Sequence, residues 1–452
     1  MKADSALDLA EQALRAVEGD EADVLVHAER SGLARFADSS LHQPTLVEDT
    51  AVTVRVARDG KVGAASTNRL GDGVEATARR AAEAAESAPR DPGFTGLPRA
   101  APAPVVEGWD EETAALTPGD QAELAWRTIQ ASPSIPLYGY FTSGVTDVAI
   151  ASTTGLAVSQ RMTDATVLAL AASEDASGYA EATAWKAGEI DVAAVARAAA
   201  EKAERTRGAG GLPAGTYSAL LEPYAFADLL WYFAFTSLSA LSLLEGRSYL
   251  SGRLGERLFD EAFSLVDDGR DPHGLPKAFD FEGVPKRRVA LVENGVARDV
   301  VWDRRTGARA GRESTGHALP AAAQRQGPIP FNLAVQPGDA SLAELAERVG
   351  DGIYVTRVHY LNIVDPREGV LTGMSRDGTF RIEGGRVTRP LVNLRFTTSF
   401  PRLLERLLGL SADLKLVSLS DYYDERYPYG ALVPAVATEA FTVVATGSAP
   451  GV

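Results

Sequence analysis

The chain has 452 residues, a formal net charge of −16 and no cysteine. That length exceeds one ordinary core and predicts two or three domains. The missing thiols exclude a disulfide framework, a thiolate metal site and a cysteine nucleophile, and the acidic balance argues against a nucleic-acid backbone as the main partner.

The first residues, Met1-Lys2-Ala3-Asp4-Ser5, run into an amphipathic pattern with no apolar signal core. Leu7, Leu9, Ala10, Ala13, Leu14 and Val17 sit at helical spacing, and Gly19 stops the pattern. Ala22 to His27 alternates as a strand does. Residues 51–66 read as a hairpin about Asp59-Gly60, since a tight turn needs positive φ. An alanine-rich helix follows from Val74 to Ala88. Pro89, Pro92, Pro98, Pro102 and Pro104 then mark an extended connector. Thr117-Pro118 opens another helix, Asp147 to Ser159 turns at Thr154-Gly155, and Glu189 to Arg207 is again helical and alanine-rich.

Gly208-Ala209-Gly210-Gly211 is the best boundary in the chain. Beyond it, Phe226 to Leu244 is the longest apolar stretch, but Asp228, Thr236, Ser237, Ser239 and Ser242 make it a buried or interfacial helix and not a membrane span. Residues 288–301 predict a hairpin about Asn294-Gly295, Gly384-Gly385 another turn, and Leu403 to Leu408 a core helix. The long irregular stretch from Asp303 to Asn332 is of a kind that often carries function. The expected class is α+β: an N-terminal α+β domain over 1–100, a central α+β segment over 115–208 packing with it, and a β-rich, barrel- or sandwich-like domain over 212–452. The expected location is cytoplasmic.

Five histidines exist, His27, His42, His273, His317 and His359, and none is followed by glutamate. An H-E-x-x-H or H-E-x-x-x-H zinc helix is therefore impossible. A Gly-x-Ser-x-Gly elbow and the glycine-rich phosphate loops are also missing. Three features remain. Asp267 to His273 gathers oxygen and imidazole donors, but its spacing fits no known cation loop, and an acidic turn explains it better. Ser314-Thr315-Gly316-His317 places a histidine in the irregular stretch, where it either bonds to backbone or meets a substrate. Asp421 to Tyr429 is tyrosine-rich and acidic, suited to an interface or to an ordinary surface loop. Lys286-Arg287-Arg288 and Arg304-Arg305 are too short for a nucleic-acid footprint.

The run from Thr53 to Asn68 resembles the N-terminal hairpin of TldD/PmbA proteins. The run from Asp267 (DDGRDPHGLPKAFDFEGVPKRRVALVENGVARDVVWD) resembles the family's central segment. The STGHA loop, Asn332-Leu333 and Gly369 to Val387 continue the match in order. The resemblance implies a cytoplasmic zinc peptidase built from two related subunits that degrades unfolded peptides and matures some peptide antibiotics and antitoxins. It further implies that this chain is the TldE/PmbA-type subunit, because the expected zinc helix falls near Phe226 to Glu245, which holds no histidine. The family's later Thr-Gly-Asp is here Thr372-Gly373-Met374. On this reading the chain has no catalytic residue and no metal ligand of its own, zinc sits on a TldD-type partner, and unfolded peptide is the substrate. Ser314, Thr315, Gly316, His317, Asn332, Thr372 and Gly373 are the expected substrate contacts. Two other readings stay open: a stand-alone binding or scaffold homodimer, and a dedicated subunit of a natural-product or peptide-maturation enzyme.

Overall fold

The computed structural model describes residues 3–17, 21–420 and 425–447. Asp421 to Asp424 of the tyrosine-rich segment lie outside the described residues. The front half runs α1 (Ala3–Arg15), β1 (Glu21–Ala37), β2 (Ser40–Arg58), β3 (Lys61–Thr67), α2 (Asp72–Ser87), α3 (Glu111–Ala115), α4 (Pro118–Gln130), β4 (Leu137–Ser152), β5 (Ala157–Ser173), β6 (Ala176–Ala184) and α5 (Val192–Arg205). Its strands form one antiparallel sheet in the order β3-β2-β1-β4-β5-β6. Asp59 and Gly60, at φ 53° and 75°, turn β2 into β3 with Arg58 opposite Lys61. Thr117 caps α4 reciprocally with Asp120, and Pro118 occupies the first turn.

The expected first domain and central segment share this sheet, because β1 pairs with β4 over Asp23 to Phe36. From Phe141 on, every residue of β4 is buried, so the sequence lacks the alternation that would have announced a strand. The sheet's two faces differ. Val24, Val26, Val52, Val54 and Val56 pack on alanines of α1 and α2, and α4 and α5 cover the β4–β6 end. On the other face Leu25, Val148 and Ile150 lie among buried Asp23 and His27 and meet Ala278 and Phe279 of the second half.

The second half runs β7 (Gly215–Leu221), α6 (Pro223–Ser237), α7 (Ala240–Leu244), β8 (Leu265–Asp267), β9 (Val289–Glu293), β10 (Val296–Ala297), α8 (Arg304–Ala310), β11 (Asn332–Val335), α9 (Leu342–Val349), β12 (Gly352–Asp365), β13 (Val370–Glu383), β14 (Arg386–Pro390), β15 (Leu394–Ser399), α10 (Phe400–Glu405), β16 (Leu407–Ser418) and β17 (Gly430–Thr446). The strand path β17-β15-β13-β12-β7 closes on itself through a β17–β7 pairing, giving a barrel, with β11, β8, β9 and β10 extending from β17.

Helix α6 is buried nearly all round. Its Phe226 and Phe233 stack on Phe400 at 5.8 and 4.8 Å. The apolar stretch to Leu244 forms two helices and not one, broken at Leu238-Ser239, where Ser239 is extended. The helix expected over Leu403–Leu408 ends at Glu405. Leu407 instead opens β16 opposite Thr438, so strand pairing overrides a helical leucine pattern. No helix among the described residues is long and apolar enough to cross a membrane.

Candidate functional site

Between the polar face of the front sheet and the barrel domain lies a cleft of about 630 Å³. Helix α6 contributes Trp231, Tyr232 and Phe235; the irregular stretch contributes Leu319, Pro320, Ile329 and Phe331; Tyr427, Tyr429 and Phe281 form the third wall. The rings lean on one another, with centroids of Trp231 and Tyr429 5.0 Å apart, Phe331 and Tyr429 4.9 Å, and Phe281 and Tyr427 4.6 Å. Such a wall offers large apolar area with phenol and indole groups at its edges, which suits side chains of varied shape. His27 and Ile363 complete the rim.

Two buried polar assemblies hold the walls. The tyrosine wall is pinned by Arg426, whose Nε and Nη2 donate to Asp164 of β5 at 2.8 and 2.6 Å. The Arg426 carbonyl accepts from His27 Nε2 at 2.8 Å and Thr146 Oγ1 at 3.1 Å, while its amide donates to Glu29. On the other side Lys277, fully buried, donates to the Pro428 and Leu275 carbonyls. Burial pushes the Lys277 ammonium down to about 7, aided by nearby Lys286.

The opposite wall rests on Asp267. Its Oδ1 is 2.8 Å from His317 Nε2, and its Oδ2 accepts from the Asn332 amide at 2.8 Å. Although burial opposes ionisation, the neighbouring His317 and Lys286 and these hydrogen bonds bring the Asp267 carboxyl to about 2. Burial, with Lys286, moves the His317 imidazole below its ordinary value. Asn332 Nδ2 donates to the Leu275 carbonyl at 2.7 Å.

The expected contact residues are thus distributed. His317 is 1 % exposed and sits behind the cleft, two residues from Leu319; Asn332 sits behind it beside Phe331. Ser314 and Thr315 bond to the Trp302 carbonyl. Gly316 is at φ 79°, where a Cβ would meet the Pro285 carbonyl oxygen at 2.5 Å. Thr372 donates to the Phe396 carbonyl at 2.8 Å within β13–β15, and a Cβ on Gly373 would press on Leu361 and Phe396. None of the seven lines the aromatic cleft. Trp231, Phe331 and Arg426 lie in three segments that the sequence singles out, the apolar stretch, the irregular stretch and the tyrosine-rich segment, but no local signal marks these side chains or joins the three segments.

Helix α6 turns aromatic groups, not metal donors, toward the cleft. Among the described residues no group of three or more histidine, aspartate or glutamate side chains is placed to hold a metal ion. At the rim, both ring nitrogens of His27 are already engaged, by the Arg426 carbonyl and by Glu425. The described residues of the cleft offer zinc no ligand set.

Residues 214–445 match the model of the PmbA/TldA metallopeptidase C-terminal domain, and residues 22–88 that of PmbA/TldA metallopeptidase domain 1. The chain belongs to the TldD/PmbA metallopeptidase family. A metalloprotease of Methanothermobacter thermautotrophicus is 27% identical over 226 residues, covering 50% of this chain and 49% of that protein. A zinc metalloprotease TldD homolog of Saccharolobus solfataricus is 28% identical over 220 residues, covering 45% and 46%. The chain spans about half the length of the curated relatives it matches. In fold it is similar to TldE from Thermococcus kodakarensis, with a TM-score of 0.86 at 19% identity over 97% of this chain and 99% of that one.

Proposed function

We propose that the chain is the non-metal-binding subunit of a two-subunit cytoplasmic peptidase, holding unfolded peptide while a related TldD-type subunit supplies zinc. The observation that carries this reading is the aromatic cleft built on α6, the helix that the family resemblance identifies with the zinc helix of TldD-type chains. Beside it, β12 pairs with β7 only from Gly352 to Val355. From Arg357 onward its second edge is bordered by no named strand among the described residues, while Ile363 reaches the cleft. A peptide added along that edge gains main-chain bonds without regard to sequence, and its side chains fall into the cleft. In this reading Ser314 to His317 and Asn332 act as supports for the walls, and Thr372 and Gly373 as supports for β12 through β13.

Native mass spectrometry of the chain purified from its own cells tests the proposal. The expected result is a complex with a second, related chain that keeps zinc after dissociation. A metal-free homo-oligomer would replace it with the stand-alone binding reading. Metal-independent peptide cleavage by the isolated chain, at the rate of any complex, would sink it.

A further inference from the structure

A second cavity, of about 690 Å³, lies on the seam between the two halves and away from the aromatic cleft. Its lining brings together four arginines: Arg99 from the proline-rich connector, Arg287, Arg304 at the start of α8, and Arg312 just past its end. In a chain with a net charge of −16, four guanidinium groups gathered around one cavity are a local concentration of positive charge.

Their neutralisation is incomplete. Arg287 is paired with Glu313 at 2.8 Å, and Arg312 grips both oxygens of Asp299 at 2.8 Å. Glu21, the remaining carboxylate of the lining, accepts from the Leu97 amide at 2.8 Å. Arg99 is exposed and has no hydrogen-bond or ion-pair partner among the described residues. Arg304 donates through Nη2 only to the Thr95 carbonyl, at 3.4 Å, and its buried Nη1 has no acceptor. Glu282 lies within electrostatic reach of Arg304, yet its own buried Oε2 accepts nothing, so the two do not satisfy each other.

We propose that this cavity binds a small molecule through an oxyanion group, phosphate or carboxylate, with Arg99 and Arg304 as its principal donors. The planar fork of a guanidinium matches the oxygens of either group, and charge-assisted bonds of this kind are the strong ones. The cavity is larger than one phosphate, which leaves room for the body of the ligand. Because the ligand would touch both the connector and α8, occupancy would also brace the seam between the halves. The inference does not depend on the peptide-holding role.

Titration calorimetry of the full chain with inorganic phosphate, pyrophosphate and citrate tests it, each in parallel with thermal unfolding. Saturable binding that weakens as sodium chloride is raised, with a higher unfolding temperature, is expected for at least one anion. A preference for pyrophosphate over citrate would assign phosphate ligands, and the reverse order carboxylates. Arg99→Gln should weaken binding roughly tenfold or more. It removes an exposed side chain with no hydrogen-bond or ion-pair partner among the described residues, so the fold of the variant should be unaffected. Arg304→Gln should have at least the same effect. No saturable binding of any of the three anions, or affinity unchanged in both variants, would overturn the proposal.

Discussion

The two walls of the aromatic cleft are held by different physics. The Tyr427–Tyr429 wall hangs on the Arg426–Asp164 pair, which joins residues 262 apart in sequence and crosses between the halves. The Leu319–Phe331 wall hangs on Asp267, His317 and Asn332, which all lie within the second half. In the first, a bidentate ion pair is withdrawn almost completely from water, side chains 3 % and 1 % exposed. In the second, a carboxylate with lowered pKa organises a histidine and a backbone amide. The first arrangement is costly to break from one side, because removing either partner strands a buried charge. The second depends on pH, because its anchor must stay ionised.

Arg426→Ala leaves Asp164 buried and uncompensated. The expected loss is about 3–5 kcal/mol, read as a lowered denaturant midpoint, whereas the paired change Arg426→Met with Asp164→Leu should recover most of it. If the double variant is no more stable than the single one, the pair is not the clasp.

Asp267→Asn should cost less, about 2 kcal/mol at neutral pH, from a carboxyl brought from its ordinary 3.8 to about 2. The unfolded chain takes up this proton before the folded chain does. The Asp267 contribution is therefore complete above 3.8 and drains away as the pH falls toward about 2. Acid unfolding followed by tryptophan fluorescence should begin at higher pH in wild type than in the asparagine variant, relative to each protein's neutral stability. Identical acid profiles would remove Asp267 from its anchoring role.

Trp231→Ala leaves both tethers intact and opens only the cleft. It should weaken binding of a fluorescent unfolded peptide about tenfold, as aromatic anchors at the centre of a binding surface do. Unchanged affinity would move the peptide away from α6.

The remaining effect is a slope against pH. Lys277, with its ammonium pushed from 10.5 to about 7, is neutral in the folded chain over a range where the unfolded chain still carries the proton. Stability should therefore rise with pH between about 7 and 10.5, and Lys277→Met should flatten that rise. Asp228 on α6 runs the other way. Burial and nearby Glu181 hold its carboxyl at about 7 against an ordinary 3.8, so the folded chain keeps a proton the unfolded chain has lost. Stability should fall across that window, and Asp228→Asn should remove the fall. A denaturant midpoint series against pH checks both.

Much of this molecule follows from neighbouring residues alone. Asp59-Gly60, Asn294-Gly295 and Gly384-Gly385 all sit at positive φ and join the strands on either side of them, because a two-residue turn needs that conformation whatever surrounds it. Thr117-Pro118 starts a helix for the same local reason. The order of motifs from Thr53 to Val387 was enough to imply the family, and the absence of any histidine before a glutamate was enough to exclude a zinc helix.

Tertiary structure decided the rest. Nothing near Leu407 says strand; its pairing with Thr438 does. Nothing near His317 says whether it meets a substrate or the interior; Asp267, fifty residues away, draws it inward. The barrel closes only when β17 reaches β7 across most of the second half, and Tyr427 and Tyr429 become a wall only because Arg426 finds Asp164. Turns and caps are set by short-range sterics and hydrogen bonds that a few residues contain. The cleft comes from side chains hundreds of positions apart, and the contacts that bring them together exist only once the whole chain is packed.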